Sequence, residues 1–271
     1  MSAEPPVDGE GLRRLQTAAT AIVSQVPRIV DMINPALTEL QFTVTGHPNK
    51  VSALILRPEE ARGLLVFAHG AGAGMRHPFM NAVADELAGR RIATFRYQFL
   101  YMEQGGGRPD LPHVLAATVR AAVQAATELA PDLPLLAGGK SLGGRMTSTA
   151  ASQSPLPGVR GLVFFGFPLH PPEQPSTERA RHLQSVTVPM LFLQGTRDQL
   201  ADLDLLRPVC SELGNRAQLR VIEGADHSFH VLKRSGRTDR AVLAELAATV
   251  VDWAGQLENL AVVRRDESSD E

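Results

Sequence analysis

The sequence predicts an α/β protein whose mostly parallel sheet of about eight strands is doubly wound by helices. Three observations carry that expectation. From residue 64 onward, short segments rich in Val, Leu, Ile and Phe alternate with stretches of helical periodicity. Most of those segments are predominantly apolar, as strands covered by helices on both faces must be. No linker or break in composition divides the chain, so the alternation belongs to one domain.

The elements follow in order. Residues 1–10 are acidic and contain prolines, which reads as a disordered start. Leu12, Leu15, Ala19, Ile22 and Val26 then lie at helical spacing, interrupted by Pro27, so 11–32 reads as a helix outside the core. Residues 1–37 are taken together as an N-terminal extension. Leu40 to Thr45 and Val51 to Leu56 alternate well enough for a hairpin turning at 46–49. These two strands precede the alternation and are expected to be antiparallel. Strands are then expected at 64–68, 92–97, 133–137, 161–165, 190–194 and 218–222. Helices are expected at 78–88, 112–129, 145–153, 203–213 and 239–256. One α/β domain is expected over 38–260, and 261–271 reads as a charged, solvated tail. The interval 166–188 is short and holds Pro168, Pro171, Pro172 and Pro175. It has room for one small helix near Thr177 to Leu183 but for no large lid.

Composition narrows the classes. Among 271 residues, 27 basic side chains face 29 acidic ones, so the excess of positive charge expected of a nucleic-acid binder is missing. No stretch approaches the roughly 18 consecutive apolar residues of a membrane span. The acidic, proline-containing start is unlike a secretory signal. The single cysteine, Cys210, rules out an intrachain disulfide, suits a reducing compartment and reads as a small buried hydrophobe. The expected address is cytoplasmic, without membrane or nucleic-acid partners. Histidines 69, 77, 113, 170, 182, 227 and 230 show no metal-ligand spacing with cysteine or carboxylate, so no metal is expected.

An open parallel sheet gathers its active site at the C-terminal ends of its strands. After the strand at 133–137 comes Gly139-Lys-Ser-Leu-Gly143, a G-x-S-x-G pattern between a strand and a helix. A turn that tight forces the serine into a strained conformation and demands glycine on either side. Two other readings fail. A P-loop ending in Gly139-Lys-Ser would need glycine at 134, where Pro134 stands. A dinucleotide fingerprint starting at Gly70 or Gly72 would need glycine at Met75 or His77.

Two further strands supply partners. Asp198 follows the strand at 190–194 and His227 follows the strand at 218–222. A serine hydroxyl needs a base within hydrogen-bond reach, and the base needs an acid to fix its tautomer. Ser141, Asp198 and His227 are therefore the candidate nucleophile, orienting acid and base. Asp198 could instead cap a helix, with Asp202 and Asp204 near enough to compete, and His230 is the rival of His227. The loop His69-Gly-Ala-Gly-Ala-Gly74 can aim backbone N–H groups at a developing oxyanion. The hole is assigned to the N–H groups of Ala71 and Leu142. His69 reads as structural, hydrogen-bonded near the strand end. Lys140 and Arg145, flanking the elbow, read as salt-bridge or surface partners. Phe99, Tyr101 and Met102 read as core or rim packing, in a loop to Pro109 that could overhang the pocket.

These residues resemble the α/β-hydrolase superfamily, in its dienelactone-hydrolase-like branch, and most closely the KANL3/Tex30-like family. The resemblance is carried by 68–74, by Phe95 to Met102 with Arg108-Pro-Asp110, by 138–145, by 194–198 and by 224–227. It covers about residues 60–260. It implies an α/β-hydrolase fold with a triad at Ser141, Asp198 and His227, no cofactor, and no particular substrate. The function expected is that of a serine hydrolase of the carboxylesterase kind. It would cleave carboxylic esters or thioesters of small acyl groups through an acyl-enzyme. A non-catalytic scaffold of the same fold, and acyl transfer or perhydrolysis on the same triad, stay open. The expected partner is a small-molecule ester, with homo-oligomerisation undecided.

Overall fold

The structure is a computed structural model that describes residues 36–267. The helix expected at 11–32 lies outside the described residues. The described elements run β1 (Ala36–Thr43), β2 (Lys50–Arg57), β3 (Gly63–Ala68), α1 (Pro78–Ala88) and β4 (Ile92–Tyr97). Then come α2 (Leu100–Glu103), α3 (Pro112–Leu129), β5 (Leu135–Lys140), α4 (Leu142–Gln153), β6 (Val159–Phe165), β7 (Met190–Gly195), α5 (Leu203–Glu212), β8 (Ala217–Ile222) and α6 (Asp239–Glu267).

The eight strands form one sheet in the order β1-β2-β4-β3-β5-β6-β7-β8. β1 pairs antiparallel with β2, and β2 with β4. From β4 to β8 every pairing is parallel. This is the α/β-hydrolase architecture. The period-two alternation of a strand explains how the sheet serves two cores. On β3, Leu64, Val66 and Ala68 face a core shared with α3 and α4, while Leu65 and Phe67 face a second core closed by α1 and α6. β7 divides in the same way, Met190 and Phe192 against Leu191 and Leu193.

Where the boundaries differ from expectation, a physical cause is visible. β5 continues to Lys140 instead of stopping at Ala137, through two glycines that read as a turn signal. A β-carbon on Gly138 would lie 1.9 Å from the Val163 carbonyl oxygen, and one on Gly139 would lie 2.5 Å from that of Ala68. These glycines therefore let neighbouring backbone approach within a central strand. α4 consequently begins at Leu142, with no residues to spare between strand and serine. The last helix runs on to Glu267 because neither proline nor glycine interrupts it after Gly255. One short turn, α2, was not expected. Between β6 and β7 lies a single 3-10 helix, Glu178–Ser185, packed on α4. Among the described residues no helix is long and apolar enough to cross a membrane.

Candidate active site

Ser141 occupies the corner between β5 and α4 at φ 51°, ψ −115°. An L-residue seldom adopts this left-handed conformation, and it survives only where the surroundings fix it. Here the Ser141 N–H donates to the Phe165 carbonyl at 3.1 Å, and the Ser141 carbonyl accepts from the Arg145 N–H at 3.1 Å. Gly143 must also be glycine, since a β-carbon there would meet the Ala68 carbonyl oxygen at 2.5 Å.

The loops after β7 and β8 bring the other two groups to this serine. Ser141 Oγ and His227 Nε2 lie 2.8 Å apart, and His227 Nδ1 and Asp198 Oδ2 lie 2.7 Å apart. In that chain the imidazole donates to the carboxylate and accepts from the hydroxyl, which fixes one tautomer. The Asp198 side chain is wholly buried, whereas that of His227 is 26% exposed. The Asp198 carboxylate also accepts from Gln194 Nε2 and from the Leu200 N–H at 2.8 Å. Three donors therefore fix its plane. Gln194 was missed in the sequence, although it directly precedes Gly195-Thr-Arg-Asp198 and its side chain points inward from β7. On the other loop, Asp226 Oδ1 accepts from the N–H groups of Ser228 and His230 at 2.8 and 2.9 Å, which tightens the turn bearing His227.

The rival residues are placed elsewhere. Asp202 caps α5, accepting from the Asp204 N–H at 2.8 Å, and Asp204 lies in that helix's first turn. His230 sits 2.8 Å from Asp239 in an exposed pair, and the hydrogen bond to that carboxylate raises its pKa. His69 has a structural position. Its Nδ1 donates to the Gly70 carbonyl at 2.8 Å and its Nε2 accepts from the Phe99 N–H at 3.1 Å. Burial lowers its pKa to about 4. The imidazole thus ties the glycine loop to the end of β4.

That glycine loop lies against the serine. A β-carbon on Gly70 would sit 3.7 Å from Ser141 Cβ. Among the described residues neither the Ala71 N–H nor the Leu142 N–H has an acceptor. Ala71 and Ser141 line the same cleft, and Leu142 follows the serine as the first residue of α4. A cleft of about 350 Å³ opens here, lined by Gly70, Ala71, Phe79, Met80, Leu200 and His227 among others. Phe99 and Tyr101 are core residues and contribute nothing to its lining.

Two expectations about the flanking cations need correcting. Lys140 is neither at the surface nor in a salt bridge, because β5 carries it inside the fold. Its Nζ is buried without a hydrogen-bond partner, and burial lowers its pKa to about 8. Arg145 is half-buried on α4, with no carboxylate partner among the described residues and with Arg179 as a like-charged neighbour. Among the described residues no group of three His, Cys, Asp or Glu side chains could hold a metal ion.

Comparison with known proteins agrees with this architecture. Residues 61–255 match a family model described as an alpha/beta hydrolase domain. Two Mycobacterium tuberculosis proteins that carry a provisional phosphoribosyl transferase name, from strains CDC 1551 and H37Rv, are each 30% identical over 225 residues. The match takes in 81% of this chain but 47% of theirs, so the chain spans about half the length of these relatives. Among solved structures, a dienelactone hydrolase from Anabaena variabilis superimposes with a TM-score of 0.64 at 22% identity, covering 81% of this chain and 97% of its own. An α/β serine hydrolase without a lid from Xanthomonas campestris gives 0.62 at 18% identity, covering 82% and 95%. At such identities the structural likeness speaks for the fold alone.

Proposed function

The chain belongs to the alpha/beta hydrolase domain family, and from that premise we propose that it is a serine hydrolase cleaving carboxylic esters or thioesters of small acyl groups. The observation that carries this reading is the continuous chain from Ser141 Oγ through His227 to Asp198. In the proposed reaction His227 Nε2 takes the hydroxyl proton as Ser141 Oγ attacks the acyl carbon. Asp198 holds the imidazolium that forms. The N–H groups of Leu142 and Ala71 donate to the acyl oxygen as charge develops on it, and removing one such donor typically costs about 3 kcal/mol. His227 then delivers its proton to the departing alcohol or thiol. Water, activated by the same imidazole, releases the acid from Ser141.

The small, unlidded cleft supports a short or protruding acyl group over a long buried chain. The phosphoribosyl transferase name of the bacterial relatives belongs to proteins about twice this length. The segment they share takes in 81% of this chain. Membership in the narrower family named from the motifs is part of the proposal, as is the division into an extension (1–37), a hydrolase domain (38–260) and a tail (261–271).

A fluorophosphonate probe tests the reading. Folded wild-type protein is expected to be labelled and Ser141→Ala is not. Folded wild type that resists the probe and turns over no member of an ester panel of graded acyl length overturns it. In that panel the short chains are expected to be preferred.

A further inference from the structure

Gly166, the residue after β6, adopts φ +71°. A β-carbon built on it would lie 3.2 Å from Lys140 Nζ, 3.4 Å from Asp198 Oδ2 and 3.4 Å from His227 Nδ1. Three polar atoms thus converge on one point behind the catalytic hydrogen bonds. The ammonium of Lys140 is within about 7 Å of both partners, close enough for its charge to act on their protonation. It makes no ion pair and no hydrogen bond there. It lies instead over the rings of Phe79, on α1, and Phe229, at 5.9 and 5.7 Å. Those two rings are stacked, 5.7 Å apart. The charged groups acting on it are Asp198, from the loop after β7, and Asp226, from the loop after β8.

A buried ammonium with no partner is costly, and cation–π contact recovers only part of what hydration supplied. Its position gives that cost a role in the site. Asp198 is a carboxylate with no exposed surface, pressed against one nitrogen of His227. A lone buried carboxylate favours the imidazolium, and a protonated His227 cannot accept the serine proton. A second cation on the far side of the carboxylate opposes that effect.

We propose that Lys140 is a positioning residue of the site, whose buried charge balances Asp198 from behind and keeps His227 available as a base at neutral pH. The inference rests on the reading of Ser141, His227 and Asp198 as a triad. It adds a fourth member, which lines the same cleft as Ser141 and whose Nζ hydrogen-bonds to neither Ser141 nor His227. Gly166 belongs to the same device, because any side chain there would enter the junction of the three groups.

The test uses the full chain and two readouts. The His227 imidazole is followed by NMR against pH, assigned by its loss in His227→Gln. The rate of fluorophosphonate labelling is followed over the same range. In Lys140→Met, which keeps the length and removes the charge, the His227 midpoint is expected to rise by about one pH unit. Labelling below that midpoint is expected to slow by up to about tenfold and to recover in alkali. Lys140→Arg, which keeps the charge, is expected to hold the wild-type midpoint. A folded Lys140→Met whose midpoint is unchanged, with labelling slowed equally at all pH values, overturns the proposal in favour of packing alone. If neither variant folds, the wild type decides. Its His227 resonance is expected to carry a second, smaller inflection where Lys140 loses its proton, near pH 8, and a single inflection between pH 4 and 10 overturns the proposal. Wild type that no probe labels defeats the triad reading instead, and the NMR midpoints still report on Lys140.

Discussion

Replacing Ser141 by glycine is expected to make the protein more stable than replacing it by alanine. Both changes remove the hydroxyl and its 2.8 Å contact with His227, so their difference isolates the backbone. At φ 51°, ψ −115° a residue with a β-carbon carries about 1–3 kcal/mol of strain. Glycine adopts this conformation freely. Against that gain stands the larger entropy of glycine in the unfolded chain, about 0.4–1 kcal/mol. The balance favours Ser141→Gly over Ser141→Ala by about 1 kcal/mol, which for a chain of this size is a melting temperature about 2–4 °C higher. Thermal and urea unfolding of the two variants side by side measure it. Glycine proving equal to or weaker than alanine would refute the claim that the elbow stores strain.

Other consequences follow from burial and tight packing. His69 is held neutral, with a pKa of about 4 against 6.5 in the unfolded chain. Its stabilising effect is complete above about pH 6.5 and is lost as pH falls toward 4, by about 3 kcal/mol. His182, less deeply buried and lowered for the same leading reason, adds a smaller loss in the same window. Urea unfolding at pH 7.5 and 4.5 reads the sum, and equal midpoints would contradict it. Gly166→Ala combines a positive φ with contacts of 3.2–3.4 Å. It is expected to cost about 1–3 kcal/mol and to slow probe labelling at least about tenfold, and a silent alanine would mean that the junction can yield. Cys210 is buried and its thiol pushed up to about 11. A thiol reagent at pH 8 is expected to modify it quickly only after unfolding.

Much of this was legible because local signals and tertiary demands coincided. Pro78 and Gly89 bound α1 where the chain must start and end that helix. Ser141 directly follows β5, and Asp198 and His227 stand in the loops after β7 and β8, so topology brings them together from distant positions. The illegible parts depend on distances across the sheet. Gly138 and Gly139 look like a turn, and only the Val163 and Ala68 carbonyls show that they belong to a strand. Lysine in a polar motif looks like a surface residue. Nothing local reveals that β5 ends three residues later than its apolar run suggests and carries Lys140 under Phe79 and Phe229. Gln194 escaped notice because a glutamine closing a strand carries no signal of its own until the carboxylate it holds is in view.

The modest 3-10 helix between β6 and β7 bears on the competition for the acyl-enzyme. On the proposed function, with only that segment between β6 and β7 and with part of the His227 side chain open to solvent, an acyl group on Ser141 would be open to water from the moment it formed. A transferase needs to shield that bond until its chosen acceptor arrives. Here an acceptor alcohol or thiol must outrun water by binding affinity alone, so the partition between hydrolysis and transfer should scale with acceptor concentration and tilt toward hydrolysis at low occupancy. On that reading the short connection would set the fate of the intermediate, independently of the groups that make it.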